Sequence, residues 1–400
     1  MEFADRERRE AESIVGRGKF VKRTIFAVLC VVVGTLLAEA IARSYSFLGG
    51  SAGRRLASRD PLGVVYGPYG NFGYRQRAGI TEKFLNGTST TANSMGYRGP
   101  LVNVDKPKGT YRIVLLGGST TNGYGVNDDS TIDAHMRRLL PERFPGLCFE
   151  VVNLALGGYD SYQDYERMRV DGTKLKPNLV IVNSGINDVR NAQFDNLSAP
   201  PDPRTLFWEN VMQQMREEAT HGVSLQTLAN HYLYLARLPG FIRELLQQRQ
   251  QVKVIRAVEP HDSAIDYFAV NVERTVGLAS SIGAAVILST PPSALSMRNK
   301  SSDPPEKTYW IKDAGTTENY RRRLAARMQQ IAAHARAAGK PVSYLSNNLP
   351  LEVFLDDAHL TSSGNLTMSQ DFVEAASPFI RTAFPRSPVN QLSCARTVQP

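Results

Sequence analysis

Three apolar, β-branched runs, separated by helix-forming stretches, constrain this chain more than any other feature. They are Tyr111-Arg112-Ile113-Val114-Leu115-Leu116, Phe149-Glu150-Val151-Val152-Asn153-Leu154 and Leu179-Val180-Ile181-Val182-Asn183. Short continuous runs of this kind suit strands buried on both faces. Helix formers with apolar spacing fill Asp129 to Phe144 and Tyr162 to Leu175 between them. Strand and helix therefore alternate, as in a parallel sheet covered on both sides, and the fold class expected is α/β. A fourth strand is expected over Ala284-Ala285-Val286-Ile287-Leu288 after a helix from Ile265 to Ser281. A fifth is expected at Val342-Ser343-Tyr344-Leu345, after the helical stretch Glu318 to Ala338.

In an open parallel sheet, ligands meet the carboxyl ends of the strands. Three short polar segments fall there: Gly117-Gly118-Ser119-Thr120, Asn153-Leu154-Ala155-Leu156-Gly157-Gly158 and Gly185-Ile186-Asn187-Asp188. A fourth, Asp356-Asp357-Ala358-His359, comes late in the chain. Ser119, on a tight turn opening a helix, could project its hydroxyl as a nucleophile; taken alone it reads as a helix cap. A phosphate-binding loop would need a lysine that this segment lacks. Gly157 or Gly158 could offer a backbone N–H, and Asn187 its amide, to an oxygen that becomes negative in a transition state. Alone, these residues read as a plain turn and an Asx-turn. Asp188 is expected to hold its loop. His359 is the candidate base, and Asp356, three residues earlier, can fix its tautomer, with Asp357 as an alternative partner. His135, His221, His231, His261 and His334 lie near no such motif and are read as structural. The ordered set points to serine-based acyl chemistry where each part alone does not.

Ahead of this body, Thr24 to Ala42 is apolar except for Glu39 and two threonines, about the length that spans a bilayer as a helix. Arg6, Arg8, Arg9, Arg17, Lys19, Lys22 and Arg23 precede it. The excess of basic residues on that side places the N-terminus in the cytoplasm and the rest across the membrane, periplasmic or extracellular. Ala40-Ile41-Ala42 also has the form of a signal-cleavage site, so secretion after cleavage is the alternative. The organisation expected is a basic N-terminus (1–23), a transmembrane helix (24–42), a β-rich lead-in (43–110), a main domain (111–385) and a flexible tail (386–400). Within the main domain, 190–262 exceeds an ordinary crossover and holds helical patterns at Leu206 to Glu218 and Gly240 to Gln251. It reads as a helical insertion that serves as scaffold or as a lid over the site.

The formal net charge of +9 would suit nucleic acid, yet Lys and Arg are scattered and no recognition pattern appears, so no nucleic-acid partner is expected. The histidines are dispersed and no zinc spacing occurs, so neither metal nor cofactor is expected. Of the three cysteines, Cys30 lies in the apolar segment; an oxidising compartment would permit Cys148 and Cys394 to bridge, but two free thiols are the expectation.

Together the four segments resemble the blocks of the SGNH, or GDSL-type, hydrolase superfamily, over roughly residues 110 to 380. The resemblance implies a flavodoxin-like three-layer α/β/α sandwich. It implies Ser119 as nucleophile, His359 as base with Asp356 orienting it, and an oxyanion hole from the Ser119 and Gly158 N–H groups and the Asn187 side chain. The first block departs from Gly-Asp-Ser-Leu at Gly118 and Thr120, neither of which belongs to the triad. The lead-in Asn93-Ser94-Met95-Gly96-Tyr97-Arg98-Gly99 also resembles the corresponding segment of bacterial membrane-linked members. The partner implied is an ester substrate, an acylated envelope glycan or a lipid, cleaved through an acyl-enzyme. The alternatives are an acyltransferase with the same triad, and a non-catalytic envelope-binding protein that keeps the fold.

Overall fold

The computed structural model describes residues 2–48, 65–69, 73–84, 86–193, 225–248, 259–295, 311 and 313–385. One continuous helix, α1 (Glu2–Leu48), contains a stretch from Lys22 to Ser46 long and apolar enough to cross a membrane. At 1.5 Å per residue the whole helix is roughly 70 Å long. Two antiparallel hairpins follow, β1 (Tyr66–Tyr69) with β2 (Gly73–Gln76), and β3 (Thr81–Lys83) with β4 (Ser89–Thr91).

The main body then alternates: β5 (Thr110–Gly117), the one-turn helix α2 (Ser119–Asn122), α3 (Ile132–Arg143), β6 (Cys148–Asn153), α4 (Ser161–Arg167) and β7 (Leu179–Asn183). The described part of the 190–262 stretch forms α5 (Leu225–Tyr232) and α6 (Tyr234–Gln248). Next come α7 (Ser263–Ser281), β8 (Ala285–Ser289), α8 (Ala314–Ala337), β9 (Val342–Leu345) and α9 (Ser362–Ala383). β5 to β9 make a five-stranded, wholly parallel sheet in the order β6-β5-β7-β8-β9. This is the α/β architecture that the alternation predicted.

The period-two geometry of strands explains the layers. Ile113 and Leu115, Leu179 and Ile181, and Ala285 and Ile287 point to one face, where Ile132, Met136 and Leu140 of α3 meet Met368, Phe372 and Ile380 of α9. Val114 and Leu116, Val180 and Val182, and Val286 and Leu288 point to the other face. There they pack on Phe268, Val272 and Val276 of α7 and on Leu324, Met328 and Ile331 of α8. Each aliphatic side chain so buried contributes about 1.5–3 kcal/mol. The result is a three-layer α/β/α sandwich.

The expected strands lie within one residue of those observed. The second helical pattern is shorter than its periodicity suggested: α4 ends at Arg167 and passes into a π-turn over Met168–Gly172. The expected helix at Gly240 to Gln251 falls largely within α6, which starts six residues earlier. The helical pattern at Leu206 to Glu218 and the tail beyond 385 lie outside the described residues. Cys30 is free, whereas Cys148 is disulfide-bonded to a partner outside the described residues, which corrects the expectation of two free thiols.

Strand register brings the polar segments together. Gly117 pairs with Asn183, Asn183 with Ser289, and Leu115 with Asn153. The carboxyl ends of β5, β7 and β8 are thus level, β6 ends two residues short of them, and the loop after each starts at the same edge.

Candidate active site

Ser119 is the first residue of α2, immediately after the glycine pair that ends β5. A first-turn residue has no intrahelical acceptor for its N–H, so that group and the start of the helix both favour negative charge nearby. Gly118 must be small: a Cβ there would fall 2.5 Å from Asn187 Nδ2 and 3.1 Å from the Tyr159 carbonyl oxygen. The Ser119 Oγ lies 2.8 Å from His359 Nε2, and His359 Nδ1 lies 2.6 Å from Asp356 Oδ2. The sequence-predicted serine, histidine and aspartate therefore form one chain of contacts, bringing together residues 240 positions apart.

The His359 turn is built to hold that geometry. Asp356 Oδ1 accepts from the backbone N–H groups of Ala358 and His359, both at 2.9 Å, leaving Oδ2 for the ring. Burial pushes the Asp356 carboxyl up, but the hydrogen bond and charge of His359 and the two backbone donors outweigh it and hold the group at about 2. Leu355 N–H donates to the His359 carbonyl, closing the turn, and Thr120 Oγ1 donates to the Ala358 carbonyl at 3.0 Å. Nucleophile turn and histidine turn are thereby tied directly. Asp357, the alternative partner, uses its carbonyl to accept from Ala294 N–H, and the ring contact goes to Asp356.

Gly158 lies in the left-handed region at φ 82°. Its carbonyl accepts from Arg190 Nη2 at 2.6 Å, and the Gly157 carbonyl accepts from the Tyr74 hydroxyl at 2.7 Å. With both carbonyls held back, the turn is fixed just before the capping box of Asp160 and Gln163 that opens α4. Asn187, 7 % exposed, stands at the start of a 3-10 turn (Asn187–Gln193) and donates from Nδ2 to the Tyr159 carbonyl at 2.8 Å. An amide nitrogen has two hydrogens, so this bond orients the group and leaves one donor. Asp188 is fully buried and accepts from Ser161 N–H and Oγ, so it holds the loop as expected. Burial and the nearby Asp160 push its carboxyl up to about 7, against the pull of those Ser161 bonds.

Three further contributors were not among the candidate site residues, although Arg98 lies in the lead-in segment noted above. The Tyr124 ring lies 4.5 Å from the His359 ring and 4.6 Å from Phe84 of the β3–β4 hairpin, walling the imidazole on one side. Arg190 bonds both the Gly158 and Asn187 carbonyls and so locks two segments together. Its spacing of three from Asn187 was the only signal. Arg98, whose side chain is fully buried, donates to the carbonyls of Asn122, Gly123 and Val126 and to Asp128 directly behind α2. Among the described residues, no group of three or more His, Cys, Asp or Glu could hold a metal ion.

A family model described as the GDSL-like lipase/acylhydrolase family matches residues 115–366, well over half the chain and all four segments. None of the curated proteins matches. Among solved structures, an acetylxylan esterase of Geobacillus stearothermophilus is 15% identical, with 66% of this chain and 93% of that one covered at a TM-score of 0.37. A GDSL-like lipase of Bacteroides thetaiotaomicron is 17% identical, with 68% and 88% covered at a TM-score of 0.34.

Proposed function

Because the chain belongs to the GDSL-like lipase/acylhydrolase family of ester hydrolases, we propose that it cleaves an O-acyl ester through a covalent acyl-enzyme on Ser119. The contact chain from Ser119 Oγ through His359 to Asp356, at 2.8 and 2.6 Å, is the observation that carries this reading. With Nδ1 donating to the Asp356 carboxylate, Nε2 presents its lone pair to the serine hydroxyl. Ser119 Oγ attacks the ester carbonyl carbon as its proton passes to Nε2. The oxyanion that forms meets the Ser119 N–H, the Gly158 N–H and the free hydrogen of Asn187 Nδ2. Collapse expels the alcohol, which takes the proton from His359, and the acyl group stays on the serine. A water then loses its proton to His359 and attacks the acyl carbon, releasing the acid and restoring Ser119. The His359 side chain keeps 20% of its surface exposed and Asp356 49%, so water reaches the base. That access supports hydrolysis over transfer of the acyl group to a second alcohol.

The apolar stretch of α1 supports a single-pass anchor, with residues 1–23 in the cytoplasm and the hydrolase body, 111–385, outside it behind the lead-in 43–110. The disulfide at Cys148 fits an oxidising compartment. In that place the substrates at hand are acylated envelope glycans and lipid esters.

Treatment of the full-length protein with a fluorophosphonate, followed by peptide mass spectrometry, tests the mechanism. The adduct is expected on Ser119 and is expected to vanish in His359→Ala. Ser119→Ala should remove ester hydrolysis with the melting temperature unchanged. A folded protein that takes no label, or Ser119→Ala with undiminished turnover, would overturn the assignment.

A further inference from the structure

The apolar span of α1 contains one carboxylate, Glu39, which the spanning role does not explain. Its two oxygens accept from the backbone N–H groups of Tyr234 and Leu235 at 3.0 and 2.8 Å, the first donors of α6. Four residues on, Arg43 is paired with Glu39 at 2.7 Å and donates to the Tyr232 carbonyl, the last of α5, at 2.6 Å. One ion pair on α1 thus caps both helices at their junction, satisfying the groups that helix ends leave open. Ala42 of α1 packs with Tyr234, Leu238 and Phe241, the inner stripe of α6.

This contact fixes where the pair sits. Glu39 and Arg43 lie in the last two turns of the Lys22–Ser46 stretch, about 10 Å or less from its end. The α5–α6 junction therefore stands at headgroup depth on the side where α1 leaves the bilayer. Leu225, Leu228 and Tyr232 recur at spacings of three and four along α5, one helical face, and are 84, 37 and 63% exposed. Above them Arg43, Arg237 and Lys83 crowd the Tyr234 ring, at 4.8, 4.6 and 5.7 Å from its centre. An apolar face with tyrosine and basic residues beside it is the make-up of a helix lying in a lipid interface.

We propose that α5 and α6 lie on the outer surface of the bilayer that α1 spans, with the exposed face of α5 in the lipid, and hold the active site at the membrane boundary. This rests on the single-pass reading of α1. The path to the site is short: Lys83 Nζ donates to the Tyr234 hydroxyl at 3.0 Å, the next residue, Phe84, meets Tyr124, and Tyr124 meets the His359 ring. The carboxyl edge of the sheet accordingly faces the membrane, and an ester carried by a lipid reaches Ser119 without leaving its leaflet.

The full-length protein is reconstituted in phospholipid nanodiscs and labelled with a cysteine-reactive fluorophore, and emission is compared with and without nitroxide-bearing lipids. The native free Cys30 reports the span. Leu225→Cys and Leu228→Cys, each in Cys30→Ser, report α5, and Lys340→Cys, at the opposite end of the strands, serves as the distant control. Interfacial helices sit ~5–10 Å into the headgroup–acyl boundary, so both α5 labels should lose about half of their emission or more to a shallow nitroxide. The label at 340 should lose almost none, and that at Cys30 should respond most to a deep nitroxide. Quenching at Cys30 without quenching at 225 and 228 overturns the proposal and leaves α5 facing a protein partner or water. No quenching at Cys30 overturns the spanning reading instead.

Discussion

A single methyl group at Gly118 would block the oxyanion site proposed above. Gly118→Ala would drive its Cβ to 2.5 Å from Asn187 Nδ2, displacing the amide from the oxygen it serves. Asn187→Ala removes the same donor, so both variants should lose about two to three orders of magnitude in kcat with little change in KM. Steady-state kinetics on a soluble aryl ester reads this directly, and an unchanged kcat in Asn187→Ala would remove that residue from the mechanism. Asp356 gives a pH prediction with a definite sign. Its carboxyl is lowered from 3.8 to about 2, so its contribution to stability is complete above the higher value and is lost as pH falls through the lower one. The melting-temperature gap between the native chain and Asp356→Asn should hold from neutral pH to about 4 and close toward 2. At this scale the sequence singled out, by residue type and spacing, groups that folding brings together: Ser119, His359 and Asp356 in one chain of contacts, with Asn187 beside Gly118. It could not reveal Tyr124 or Arg190, whose parts depend on distances that only folding creates.

The strands were legible as elements because burial on both faces demands uninterrupted apolar runs, and the matching helices because their inner faces repeat every three or four residues. Two features broke that pattern. Arg112 sits inside the first run yet is fully buried, with its guanidinium 2.7 Å from Glu150 and its remaining donors on the carbonyls of Asn103, Val104 and Leu175. The π-turn over Met168–Gly172 follows α4 where the periodicity would have continued an ordinary helix. Arg98 acts at the same scale. It carries the loop behind α2 on four carbonyl and carboxylate contacts, and replacing it leaves the buried carbonyls of Asn122, Gly123 and Val126 without that donor. Arg98→Met should cost roughly 1–3 kcal/mol, as leaving buried carbonyl acceptors unpaired does. Urea denaturation would show it, and a loss under ~1 kcal/mol, the scale of an exposed pair, would mean that the clamp is dispensable.

As a whole, the molecule is a hydrolase body joined to a helix of 47 residues, and the ion pair of Glu39 and Arg43 ties that helix to the ends of α5 and α6. The apolar stretch of that helix was readable from composition; the joint was not, because a lone glutamate in an apolar run has no periodicity to interpret. A body hinged loosely to its anchor would sweep a volume of solvent. If α1 is the anchor proposed above, a body pinned at its last turns would be confined to a plane, and its encounters with a bilayer-borne ester would be those of lateral diffusion. Turnover should then follow the mole fraction of ester in the bilayer rather than its bulk concentration. Diluting a lipid ester with inert phospholipid at constant total ester should slow the reconstituted enzyme in proportion, whereas adding buffer should not. On the proposed anchoring, Glu39, one charge in a greasy stretch, would convert a search in three dimensions into a search in two.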